Sequence, residues 1–168
     1  IAFLARRGDD ANTQVYVLDA DGGEARRITS HPTAPGDITW SPDSRLIFFT
    51  AANAASAAAK EKKRLQDDVF AFEETNFEQE HLWVTDLDGK TTQVTFGNYS
   101  ITGYTLSNDG STVAYTRAPS PLLEHMRFSE VWTMDANGGN ARRLTTNEVN
   151  ESEPRVSPDG RDVLFTSD

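Results

Sequence analysis

The 168 residues carry 26 acidic against 16 basic side chains, a formal net charge of −10, and this repels a phosphate backbone and disfavours nucleic acid as a partner. A hydrophobic fraction of 37% is enough for a core, but no apolar run approaches the roughly 18 residues of a membrane-spanning helix. Zero cysteines exclude disulfides and thiolate metal sites, and no cofactor is expected.

The chain opens on the strand-like run Ile1-Ala2-Phe3-Leu4-Ala5 and then reads Val15-Tyr16-Val17-Leu18-Asp19, Asp21-Gly22 and Arg26-Arg27-Ile28-Thr29. That pattern returns as Leu82-Trp83-Val84-Thr85-Asp86 with Asp88-Gly89 and Val94-Thr95. It returns again as Val131-Trp132-Thr133-Met134-Asp135 with Asn137-Gly138 and Arg142-Arg143-Leu144-Thr145. Asp-Gly and Asn-Gly between apolar runs are strong hairpin signals. A second motif alternates with the first: Ser41-Pro42-Asp43-Ser44, Ser107-Asn108-Asp109-Gly110 and Ser157-Pro158-Asp159-Gly160. Proline presets φ, aspartate bonds its own backbone and glycine accepts positive φ, so each tetrad reads as a hairpin tip.

Two hairpins per repeat make a four-stranded antiparallel unit. Ile1, Ile47, Val113 and Val163 are equivalent and recur 46, 66 and 50 residues apart, a period that points to β-propeller blades. The expected fold is all-β: one partial propeller over 1–168, with about three blades in units of approximately 1–46, 47–112 and 113–162, then one strand of the next. Closed propellers have about four to eight blades, so a fragment of a larger ring is expected, one whose bare end faces would favour self-association. Leu46 through Phe49 is continuously apolar, as in a sheet covered on both faces. Arg26-Arg27 and Arg142-Arg143 read as a solvated outer edge.

The 66-residue interval holds an insertion, 51–81. Asn53 to Arg64 is Ala-rich, ends in Lys60-Glu61-Lys62-Lys63-Arg64 and has high helix propensity, which predicts a partly helical element. An acidic stretch around Glu73-Glu74 follows. Those two carboxylates are the candidate substrate-binding residues, able to hold an ammonium group or simply to face water. Arg117 to Glu130 contains Ala118-Pro119-Ser120-Pro121 and reads as a surface loop.

Nucleophilic hydrolysis needs a hydroxyl or thiol beside a base and an oxyanion site, and the Gly-x-Ser-x-Gly elbow that would announce one is absent. His31, His81 and His125 fall in three separate regions without metal-ligand spacing, so neither a catalytic residue nor a metal site is predicted.

With both motifs in place the chain resembles the TolB-like propeller repeats, and most closely the non-catalytic propeller of the prolyl oligopeptidase family of serine peptidases. The stretch Asp67-Asp68-Val69-Phe70-Ala71-Phe72, Asn76-Phe77-Glu78-Gln79 and His81-Leu82-Trp83 is similar to a blade insertion of acylaminoacyl-peptidase and dipeptidyl-peptidase relatives. The resemblance implies a propeller that gates peptide substrates toward an α/β-hydrolase domain of the same parent chain, beyond Asp168, and leans toward an exported, periplasmic location. It also implies an amine-binding role for Glu73 and Glu74, although here they lead into a Leu-Trp strand rather than a Trp-Ser-Pro strand. A TolB-type interaction scaffold with no enzyme is the alternative. A propeller lyase or glycan-binding enzyme is a third reading and would want a His-rich centre.

Overall fold

Three hairpin tips are built alike in the computed structural model of the chain, which describes residues 1–55, 61, 78–147 and 149–168. In each, the serine hydroxyl donates to the aspartate two residues on, at 2.6 Å for Ser41–Asp43, Ser107–Asp109 and Ser157–Asp159. The same aspartate oxygen accepts a backbone N–H, from Arg45, Ser111 or Arg161. The serine oxygen accepts the N–H that opens the next strand, from Leu46, Thr112 or Asp162. These donors favour the charged carboxylate. With the Ser107 hydroxyl foremost, they draw Asp109 down to about 2, and Asp43 and Asp159 move the same way.

The strands are β1 Ala2–Ala5, β2 Gln14–Val17, β3 Arg26–Arg27, β4 Gly36–Trp40, β5 Leu46–Ala52, β6 Glu80–Asp86, β7 Thr91–Gln93, β8 Ser100–Leu106, β9 Thr112–Ala118, β10 Glu130–Asp135, β11 Arg142–Arg143, β12 Glu151–Val156 and β13 Val163–Ser167. One short helix, α1 at Leu123–Met126, lies inside the loop expected between Arg117 and Glu130. All pairing is antiparallel, in sheets β1-β2-β3, β4-β5-β6-β7, β8-β9-β10-β11 and β12-β13.

The chain is thus an all-β propeller fragment with two complete four-stranded blades between two partial ones. The hydrogen-bonded sheets begin one strand earlier than units starting at 47 and 113, because a repeat in sequence carries no phase of its own. Both ends of the expected insertion 51–81 are strand, since β5 runs to Ala52 and β6 starts at Glu80. Most of its predicted helix, with Glu73 and Glu74, lies outside the described residues.

The core lies between sheets. Ile47 packs with Val15 and Ile28 of the first sheet, whereas its neighbour Phe48 packs with Ile101, Val113, Tyr115 and Met134 of the third. Successive strand residues point to opposite faces, so a sheet covered on both sides needs the unbroken apolar run of β5. In β13 the same pattern leaves Leu164 at 73% exposure, with Val163 and Phe165 half-buried.

Candidate functional site

Antiparallel pairing sends the tight turns to one end of every blade and the longer connections, 53–79, 94–99, 119–129 and 144–150, to the other. A polar clasp recurs at this second end. The hydroxyls of Thr29, Thr95 and Thr145 accept the backbone N–H of Val15, Leu82 and Val131, each at 2.9 Å. Each also meets the side chain just before that N–H. Thr29 donates to Gln14 Oε1 at 2.7 Å, Thr95 lies 3.1 Å from His81 Nδ1, and Thr145 donates to Glu130 Oε2 at 2.7 Å. The Thr95 oxygen accepts from Leu82 and keeps a proton and a second lone pair, so it can meet either tautomer of His81. Burial pushes the His81 imidazole down from its ordinary value, with the Gly97 carbonyl opposing, and burial does the same at His31. At the third clasp Glu151, the first residue of β12 in the fourth sheet, is fully buried, accepts from Val131 N at 3.0 Å and meets the Thr145 hydroxyl.

The second Arg of each Arg-Arg pair finds a buried carboxylate. Arg27 Nη1 lies 2.5 Å from Asp10, which also accepts from the Tyr16 hydroxyl at 2.6 Å, and Arg143 Nη2 lies 2.5 Å from Glu130. The solvated edge inferred from sequence therefore describes Arg26 and Arg142 better than their neighbours.

The first strands β4, β8 and β12 lie side by side and leave a groove of about 380 Å³ along them. Each breaks register at a bulge, between Gly36 and Thr39, Ile101 and Gly103, and Ser152 and Arg155. The bulges turn Asp37 and Glu153 to positive φ, 41° and 53°, and place both acids in the groove with Tyr104, Gly103 and Arg155. Tyr104 donates its hydroxyl to the Asp37 carbonyl, fastening one blade to the next, and burial raises its phenol strongly. The groove can hold a polar chain along its main-chain and acidic surface. It contains no nucleophile–base pair.

The three histidines stay apart: His31 follows β3, His81 sits inside β6 rather than in a connection, and His125 sits in α1. His125 Nδ1 lies 2.7 Å from Ser120 Oγ, but that hydroxyl is 2% exposed and accepts the Leu122 N–H, which makes it a brace for the loop. Among the described residues no group of three or more His, Cys, Asp or Glu could hold a metal, and no helix is long and apolar enough to cross a membrane. Sequence reading missed the threonine clasp and the groove. The clasp had a visible signal, a Thr closing every second motif, whereas the groove arises from bulges that leave no motif.

The sheet order and the groove between first strands define a β-propeller segment. Its fold is similar to that of TolB and of peptidase structures. The solved structure of TolB from Acinetobacter baumannii matches with a TM-score of 0.61 and 21% identity, over 99% of this chain and 35% of that one. The tricorn protease matches with a TM-score of 0.65 and 16% identity, over 99% of this chain and 14% of that one. In sequence, the uncharacterized peptidase YuxL of Bacillus subtilis is 22% identical over 167 residues, 99% of this chain and 20% of the relative. The chain therefore spans about one fifth of that relative's length. No family model matches.

Proposed function

We propose that this chain is the non-catalytic propeller segment of a prolyl-oligopeptidase-like serine peptidase, with the groove along β4, β8 and β12 forming part of the route by which peptides reach a hydrolase domain outside residues 1–168. The observation that carries this reading is the groove itself, main-chain-rich and acidic, in a chain similar along nearly its whole length to a peptidase. A fluorophosphonate probe, applied to the parent protein and to residues 1–168, tests it. Labelling of one serine outside the segment, with none inside, is expected; an unlabelled parent protein favours the TolB-type scaffold, whose fold the chain shares. Gating is tested separately with Gly103→Trp in the parent protein. Gly103 has the Pro154 ring 3.9 Å from where its Cβ would lie, so a large side chain there narrows the groove. A greater fall in kcat/KM for long peptides than for a small ester is expected.

Within this reading Glu73 and Glu74 anchor the free amino terminus of the substrate. Replacing both by Gln lowers kcat/KM for free peptides about tenfold or more, as expected for loss of a charged partner, and leaves N-acetylated peptides unchanged. Equal effects on the two substrates would leave a solvated acidic loop.

A further inference from the structure

At the connection end of the third blade a second cavity, about 480 Å³, opens between Asn98, Tyr99, Arg117, Pro119, Phe128 and Trp132, with Glu130 and Arg143 also on its wall. Its wall carries a guanidinium in contact with two aromatic rings: Arg117 Cζ lies over both, 3.4 Å from the centroid of Trp132 and 4.3 Å from that of Tyr99.

The residues around it are tied together. Gly97 has φ +129°, and a Cβ there would lie 2.9 Å from the Tyr99 ring, so glycine lets that ring settle. Gln79, buried, donates to Asn98 Oδ1 at 3.0 Å and to the Pro119 carbonyl at 3.3 Å, tying together the two connections that form the rim.

The two arginines of this cavity differ in what they have left to give. Arg143 is committed, with Nη2 on Glu130 and Nε on the Thr145 carbonyl at 2.6 Å. Glu130 has its other oxygen on the Thr145 hydroxyl. Arg117 is Glu130's cross-strand partner, yet among the described residues its guanidinium donates no hydrogen bond. With Arg143 offsetting Glu130, the cavity retains one net positive charge in a chain of net charge −10. A guanidinium over aromatic rings keeps its donor edge, the part that forks onto a carboxylate. Phe128, half exposed, and Pro119 add an apolar wall beside that edge.

We propose that this cavity binds a carboxylate carried on an apolar or aromatic body, with Arg117 as its bidentate partner, Trp132 and Tyr99 against the guanidinium, and Phe128 covering the apolar part. The proposal stands apart from the peptidase reading, since its readout is binding and not turnover.

Titration calorimetry of the folded chain with N-acetyl-L-phenylalanine, its carboxamide and inorganic phosphate tests it. The acid binds, and the amide and phosphate bind at least tenfold more weakly. Arg117→Gln weakens the acid at least tenfold, and Arg117→Lys, which keeps the charge but lacks the fork, falls between Gln and Arg. Phe128→Ala weakens N-acetyl-L-phenylalanine and leaves acetate unchanged. Equal affinity for acid and amide, phosphate binding as tight as the acid, or undiminished binding by either Arg117 variant would overturn the assignment. Should Arg117→Gln fail to fold, the three ligands on the unaltered chain and on Arg117→Lys still decide it.

Discussion

The two ends of the propeller segment are made by different rules. At the turn end three sheets repeat the same serine–aspartate bond, and three carry a positive-φ glycine after Asp or Asn, at Gly22, Gly89 and Gly138. At the connection end, lengths run from a few residues in 94–99 to more than twenty in 53–79, and the aromatic-walled arginine and the exposed Phe96, Leu123 and Phe128 belong there. The turn glycines Gly89 and Gly138 sit against the backbone of the preceding sheet, so variation there is costly. The connections leave the sheets and can vary with little effect on packing. Regularity marks where blades must fit, and irregularity marks where this molecule can meet something else.

The sharpest way to break that comparison is to place a Cβ at the turn end. A Cβ at Gly138 would lie 2.4 Å from the Val94 carbonyl of the preceding blade, and one at Gly89 2.8 Å from the Ile28 carbonyl, both at φ near +90°. Backbone cannot yield there as a side chain would. Gly138→Ala and Gly89→Ala are expected to cost on the order of 3 kcal/mol or more, combining an unfavourable φ with overpacking. Gly22, the equivalent glycine of the first sheet, faces open space. Gly22→Ala should cost only about 1–2 kcal/mol for the φ alone. Urea unfolding of the three variants measures this, and equal losses would show that the turn end is not where blades are fitted together.

Next in size is the clasp. Thr95→Val keeps the shape of a residue 3% exposed and strips the acceptor from the Leu82 N–H, an expected loss of about 1–3 kcal/mol. Phe128→Ala and Leu123→Ala, at the same end but exposed, should change stability by no more than about 0.5 kcal/mol.

Acidity separates the two ends further. His31 and His81, near the connections, are held below their ordinary 6.5. The unfolded chain therefore takes up protons that the native state refuses, and stability declines as pH falls below about 6.5. The turn aspartates are held below their ordinary 3.8, so their contribution is complete above about pH 4 and drains away as pH approaches 2. His81→Gln, which installs the side chain found at Gln14, should flatten the first decline and spare the second. Asp109→Asn should flatten the second and spare the first. Urea midpoints from pH 8 to 2 read both, and a single merged decline would erase the distinction.

The smallest expected effect is a gain. Ser44 stands at φ +59° where the other two tetrads have Gly110 and Gly160 at +72° and +73°. Ser44→Gly relieves that position at some cost in unfolded-chain entropy, for a net gain of up to about 1 kcal/mol by thermal unfolding.

How much of this was legible in sequence follows from the same division. The tetrads and Asp-Gly turns are local chemistry, so blades, hairpins and strand order could be drawn from residues such as Asp43 and Gly138 alone. The double-sided burial of β5 was legible because its apolar run is unbroken. The groove was not, because it brings together residues of different blades, such as Asp37 with Glu153, and neither was the Arg117 cavity, which brings Tyr99 of the 94–99 connection to Trp132 of β10; both arise through bulges and connections without a repeated signature. The pairing of Arg27 and Arg143 with buried carboxylates was hidden too, since Asp10 lies 17 residues from its partner and Glu130 lies 13.

The threonine clasp has an evolutionary corollary. A hydroxyl that receives one main-chain proton still has a proton and a lone pair to share, so it can partner an acceptor or a donor, and the three sheets duly show an amide, an imidazole and a carboxylate in one socket. The parts are interchangeable without remodelling the frame around them. An amide there is indifferent to acid and an imidazole is not, so single substitutions can retune one blade's tolerance to a changing environment while its neighbours and the shape of the ring are left as they were.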